Sequence, residues 1–205
     1  MKVYSYIVSR DFGFAPNPFG GFCTLSTCKP LIRKNATLGD WVIGTGAKGK
    51  YGIPGTLLYA MRVDEKISFD DYWTDPRFQF KKPIFNGSLK QCFGDNIYVQ
   101  KEGKWNQSFS HHSNVDGSIN DHNLKRDTRW PNTLISHRFY YFGENYVEIP
   151  ENLKDDVCKK MQGHKIVADK PAMAFLKWLE TNFTPAIHGD PLEFSKGFRH
   201  YDGIS

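Results

Sequence analysis

Twelve residues near the start of the chain limit its folding more than any other stretch. Arg10-Asp11-Phe12-Gly13-Phe14-Ala15-Pro16-Asn17-Pro18-Phe19-Gly20-Gly21 contains two prolines and three glycines. Each proline removes a backbone donor and fixes φ, and each glycine resists ordering, so neither a helix nor a central strand can run through. Three phenylalanines in the same stretch are unlike a disordered linker, which is poor in aromatics. The segment therefore reads as a long, ordered, proline-stiffened loop. Its rings either wall a cavity or plug the end of a core.

The surrounding pattern supports one α+β domain over 1–205, with a β-rich part at 1–150 and a helical extension at 151–205. Val-Tyr-Ser-Tyr-Ile-Val at 3–8 is β-branched and aromatic and suits a strand. A short strand is expected over 22–25. A Gly39-Asp40 turn leads into a strand at 41–45, and a Gly/Lys-rich loop at 46–55 returns through a strand at 57–63. Residues 69–73 form a helical turn capped by Ser68, stopped before Pro76. Strands follow at 95–99, 134–142 and 146–150, and the polar stretch 106–132 reads as loop. Helices are expected at 151–162, closed by Gly163, and at 171–181, begun by Asp169.

Composition narrows the class. With 205 residues, 40% hydrophobic and 24% charged, the chain is not disordered overall, and folding buries about 70% of its surface. No apolar run approaches the ~18 residues of a membrane span, and the first residues lack a signal peptide's apolar stretch. A cytoplasmic protein without membrane contact is expected. The four cysteines match no zinc-knuckle spacing and read as free, packed thiols. A net charge of +5 is compatible with a polyanionic partner, and the 15% aromatic content supplies rings for a core and for base stacking.

Two resemblances follow from quoted residues. Gly39-Asp40-Trp41-Val42, with 55–63 as the later strand, resembles the small β-barrels of the PUA/EVE superfamily, whose members bind a base or modified base. A wider set covers residues 1 to about 145: Tyr4-Ser5-Tyr6, the Arg10–Phe19 loop, Cys23-Thr24-Leu25, Thr27-Cys28-Lys29-Pro30, 39–46 and Phe139-Tyr140-Tyr141-Phe142-Gly143. It resembles the nucleotide-modification-associated domain 2 family, held to act in hypermodification of phage and bacterial DNA bases. The resemblance implies a PUA/EVE-like barrel with C-terminal helices packed on it, and a role beside modified nucleotides. It supplies no catalytic residue.

The residues themselves propose a base pocket between the Arg10–Phe19 loop and the strand at 41–45. Arg10 and Asn17 have the donors and acceptors to fix a base edge. Phe14, Phe19 and Trp41 are candidate stacking faces, with Thr24 and Thr45 as hydroxyl partners. Lys29, Arg33, Lys48 and Arg77 are candidate phosphate contacts. The Gly44–Lys50 loop lacks the order of a Walker motif and a following helix. Basic groups interleaved with rings over 75–83 suit a single strand.

Catalytic signals are fainter. Cys28 needs a base or cation to become a nucleophile, and its neighbour Lys29 points the other way on an extended strand. His111, His112 and His122 with Asp116, Asp121 and Asp127 form the one acid–base or metal cluster, with His111, His112 and Asp11 the candidate proton-transfer groups. No His-Glu-x-x-His helix supports zinc, so neither metal nor cofactor is expected. The leading expectation is a protein that binds DNA or a nucleotide through an extruded, modified base. The alternatives are an enzyme that transfers a group to a modified pyrimidine, and a protein-interaction or phage-defence regulatory module. Oligomeric state is left open.

Overall fold

The computed structural model describes residues 1–203. The chain divides into two compact units, each gathered from three segments. The first comprises Met1–Asp11, Ala36–Asp64 and Ser136–Leu192, and the second Phe12–Asn35, Glu65–Ile135 and residues from Glu193 onward.

The first unit is built on a seven-stranded sheet with path order His164–Val167, Val3–Val8, Trp41–Gly46, Thr56–Arg62, Phe139–Tyr141 and Ala186–Ile187. Val147–Glu148 pairs off this path, on Thr56–Arg62. Val3–Val8 and Trp41–Gly46 run parallel, in register from Val3↔Trp41 to Val8↔Gly46. A parallel pair needs a long crossover, and the chain between Val8 and Trp41 supplies it. The expected barrel does not form: the sheet is mixed and open, and none of the sheets among the described residues closes. Its path ends on two short strands, His164–Val167 and Ala186–Ile187. The C-terminal third is thus not purely helical, because it contributes both of those edges.

One sheet face is covered by the helices Glu151–Val157 and Asp169–Asn182. Leu153, Val157, Ala172, Phe175, Leu176 and Leu179 join Val3, Trp41, Ile43, Leu57, Ala60 and Tyr140 in one buried cluster. The longer helix places its apolar residues at the spacing that one buried stripe requires. The shorter one stops at Val157, five residues before the expected end, because Cys158 is already extended at ψ 137°. Gly44 is fixed by packing, since a Cβ there would lie 2.3 Å from the Tyr59 ring.

The second unit holds a three-stranded sheet, Cys23–Leu25, Asn132–Ser136 and Glu65–Ser68, and the hairpin Tyr98–Lys101/Lys104–Gln107. Phe69–Thr74 is capped as expected: the Ser68 hydroxyl accepts from Asp71 N at 3.0 Å. Phe12, Phe14, Phe69, Phe93, Ile97 and Tyr98 form this unit's aromatic core. No helix among the described residues is long and apolar enough to cross a membrane.

Candidate thiol–imidazole–carboxylate site

Four segments of the second unit meet around Cys28. The residue leads into the helix Pro30–Asn35, in a tight turn that forces two consecutive side-chain-bearing residues to positive φ, 56° at Cys28 and 39° at Lys29. Such a conformation costs about 1–3 kcal/mol at each position and survives only where the surroundings over-determine it. Here they do. The Cys28 backbone N–H donates to Asp127 Oδ1 at 2.9 Å, and its carbonyl accepts from Arg33 Nε at 2.8 Å. Arg33 is fully buried and also donates to the carbonyls of Asp127, Trp130 and Asn132. Its planar fork ties the turn to the far end of the helix Asp121–Thr128.

That helix delivers the remaining charges. The Asn120 side chain accepts from Asn123 N, capping the helix and placing Arg126 and Asp127 in its last turn. Asp127 Oδ2 lies 2.8 Å from His112 Nδ1, and His112 Nε2 lies 3.8 Å from Cys28 Sγ. Arg126 Nε donates to Asp127 Oδ1 at 3.0 Å, and its Nη2 lies 3.8 Å from the same sulfur. Tyr98 OH donates to Asp127 Oδ2 at 2.9 Å. The His112 carbonyl accepts from Gln107 Nε2 and Asn123 Nδ2, both at 3.0 Å. Asp127 and His112 are buried, and Cys28 is half-buried.

Electrostatics follow from this packing. Burial opposes ionisation of the Cys28 thiol, but the Arg126 guanidinium and the His112 imidazole outweigh it, and the thiol's pKa is lowered. Burial likewise opposes a charged His112. Asp127 first, then Cys28, reverse that effect and raise the imidazole's pKa. The Asp127 carboxyl is held well below the usual range, because His112, Arg126 and Arg33 together overcome its burial. The three groups thus bias one another toward thiolate, imidazolium and carboxylate. The other three thiols, Cys23, Cys92 and Cys158, are all pushed up by burial.

Ligand atoms of Cys28, His112 and Asp127 lie within 4.8 Å of one another, a spacing a metal ion can use. The donor set does not fit one. Asp127 is filled by Cys28 N, Arg126, His112 and Tyr98, and a guanidinium stands 3.8 Å from the sulfur, where a cation would be repelled. The arrangement is that of an activated nucleophile with an oriented base.

The other residues singled out from sequence are dispersed. Of them, Lys29, Arg33 and His112 gather here, and the half-buried Lys29 ammonium is depressed by burial, against the pull of Cys28. The His111 ring packs 5.6 Å from that of His112, and its Nδ1 meets Arg199 O. Phe12, Phe14 and Phe19 are only 5%, 3% and 9% exposed, so these rings are interior packing rather than the wall of an open cavity. Phe14 supports the site from beneath, 4.6 Å from the His112 ring. Asn17 is buried: Nδ2 donates to Phe93 O, and Oδ1 accepts from the buried Lys81 ammonium at 2.7 Å. Thr24 donates to Asp95 Oδ2 at 2.7 Å.

In the first unit, Asp11 accepts from the Tyr141 hydroxyl, Trp41 packs on Tyr140, and Thr45 donates to Tyr6 O. Arg10 is half-buried and Lys48 exposed. Arg77 on the second unit is engaged by both Glu65 and Asp75. Sequence reasoning left Arg126 out, and treated Cys28 and Asp127 as unrelated. The available signal was polar: an Asn followed by Arg-Asp in a segment that otherwise reads as loop.

Fold and site define a mixed α+β protein carrying a Cys–His–Asp array on its second unit. No curated protein and no solved structure matches the chain. It belongs to the nucleotide modification associated domain 2 family, whose model matches residues 1–198. Membership gives it a role associated with nucleotide modification.

Proposed function

We propose that the second unit carries out covalent group transfer in nucleotide modification, with Cys28 as nucleophile. One observation carries this reading: Sγ lies 3.8 Å from His112 Nε2, while Asp127 holds the other imidazole nitrogen at 2.8 Å. Burying three ionisable groups together is costly unless each neutralises the next, and such clusters concentrate where chemistry is done. Arg126 adds a permanent positive charge that lowers the thiol's pKa.

The geometry suits an acyl-type donor. The Cys28 thiolate adds to a carbonyl carbon, and the bond to the leaving amine or alkoxide breaks. The His112 imidazolium delivers its proton to that leaving group, leaving a thioester on Sγ. Neutral His112 then removes a proton from an incoming amine or hydroxyl on the modified base. That nucleophile takes the acyl group, and the thiolate is restored with the proton on His112. Asp127 holds the ring's orientation and stabilises the imidazolium.

The test needs no natural substrate. Para-nitrophenyl acetate is expected to give a burst of nitrophenolate and an acetyl adduct that mass spectrometry maps to Cys28. The Cys28→Ser variant is expected to lose both, and His112→Ala to slow acylation by about 100-fold or more. An acetyl group found instead on Cys158, or a burst that survives Cys28→Ser, rules the reading out.

A further inference from the structure

Four rings on the second unit make an open aromatic array that the group-transfer site does not use. Phe85 and Phe109 lie 4.5 Å apart between centroids, and each remains exposed, at 38% and 40%. Phe198 meets Phe85 edge-on at 4.9 Å, and His200 lies 5.2 Å from Phe109 and 5.1 Å from Phe198. A core would have buried these faces. Two phenylalanines left more than one-third open, tilted 49° to each other and ordered by the rings beside them, offer separate apolar ring surfaces on which other flat rings can pack.

The array is continuous with the site. His200 Nδ1 meets the carbonyl of Ser113, the residue after His112, at 3.1 Å. The next residue, Tyr201, packs its ring at a tilt 5.6 Å from that of His112 and lies 5.6 Å from the Arg126 guanidinium. The Tyr201 backbone N–H donates to His111 O at 2.7 Å. Between Phe198 and His200, Arg199 is exposed. One short segment therefore carries two rings of the array, a cation between them, and a ring against the catalytic imidazole.

We propose that Phe85, Phe109, Phe198 and His200 are a stacking platform for single-stranded DNA, which leads the strand toward Cys28. The inference deepens the group-transfer reading and rests on it for what the bound strand is for. Bases have two apolar faces and stack on exposed aromatics without sequence preference, while a neighbouring guanidinium meets the phosphate. The chain's net charge of +5 favours such a polyanion. A deoxy strand suits these rings better than RNA: the platform is mostly hydrocarbon, and His200 Nδ1 is already engaged, so little is left to greet a 2′-hydroxyl.

The experiment is fluorescence anisotropy with a labelled oligothymidylate of about 15 nucleotides, within the range such sites span. Native protein is expected to bind at about 50 mM salt and to weaken by about 200 mM. The double variant Phe85→Leu/Phe109→Leu keeps apolar bulk without a flat face, and is expected to bind about tenfold or more weakly. Arg199→Gln is expected to reduce the salt slope by about one. Cys28→Ser is expected to bind as the native protein does, so acetylation reports on the thiol and anisotropy on the platform. The proposal is overturned if native protein does not bind at the lower salt, if the leucine variant binds undiminished, or if oligouridylate binds more tightly than the DNA.

Discussion

Arg126 occupies an unusual position for a surface-reaching side chain. Its Nε serves Asp127 and its Nη2 approaches both Cys28 and His112, so one guanidinium touches three neighbours and lowers the pKa of two of them, Cys28 and Asp127. Replacing it with glutamine keeps length and hydrogen-bonding capacity but removes the charge. In Arg126→Gln the Cys28 pKa is expected to rise, and alkylation by iodoacetamide at pH 7 to slow several-fold to about tenfold. The full pH profile of alkylation is the measurement that checks this: its midpoint moves up, while its plateau stays near the native rate. A lowered plateau with an unmoved midpoint would mean that Arg126 controls access instead. In the native protein Cys28 should label ahead of Cys158, whose thiol is raised by burial. None of this was legible in the residues around Cys28. Its partners stand 84 and 99 positions away, and its near neighbour Lys29 drew attention only by adjacency.

At the scale of elements, the sequence announces those that rest on local chemistry. Strand Val3–Val8, the Ser68-capped turn and the helix Asp169–Asn182 all carry their own signals, in β-branching, a cap and an apolar stripe. The helix Asp121–Thr128 does not, because its Asp-His-Asn-Leu-Lys-Arg-Asp-Thr has one large apolar residue and draws its stability from bonds at its end. The Arg10–Gly21 loop shows the opposite failure. Its order was predictable, but its inward direction was not. The reason is Lys81, fully buried, whose ammonium donates to Asn17 O, Asn17 Oδ1 and Phe22 O. Burial lowers its pKa to about 8 against the pull of Asp95. Lys81→Met would leave those acceptors and the buried Asp95 without a cation. It is expected to cost about 3–5 kcal/mol, read as a lowered denaturant midpoint. Lys81→Arg is expected to recover little, since three acceptors arranged for one compact ammonium do not match a planar fork.

For the whole molecule, charge linkage gives stability a direction with pH. Asp127 has a depressed pKa in the folded state, so its contribution is complete above about pH 4, its unfolded range. It is lost as pH falls further and the unfolded chain takes up a proton that the native carboxylate refuses. His112, with a raised pKa, contributes fully below about pH 6.5 and loses that contribution as pH rises through its folded pKa. Cys28, with a lowered pKa, has the opposite slope between its folded pKa and its ordinary value of 9.0, and so works against the His112 trend. A thermal-unfolding series is expected to show an acid limb below about pH 4 that is shallower in Asp127→Asn. The molecule's open sheet also explains why the barrel expectation failed. A Gly-Asp turn and a glycine-rich return are local, whereas closure depends on which strand lies at each end, and those strands come from the C-terminal third.

The turn that bears Cys28 is completed by a distant part of the chain. Its carbonyls are met locally, by Arg33 and Ile32, but the Cys28 N–H is held by Asp127, 99 positions away. A denatured chain would thus present an ordinary thiol, and a folded one a thiol whose pKa its neighbours have lowered. The speed with which Cys28 takes up a small electrophile becomes a clock on renaturation, recording when residues 28, 112 and 127 first assemble.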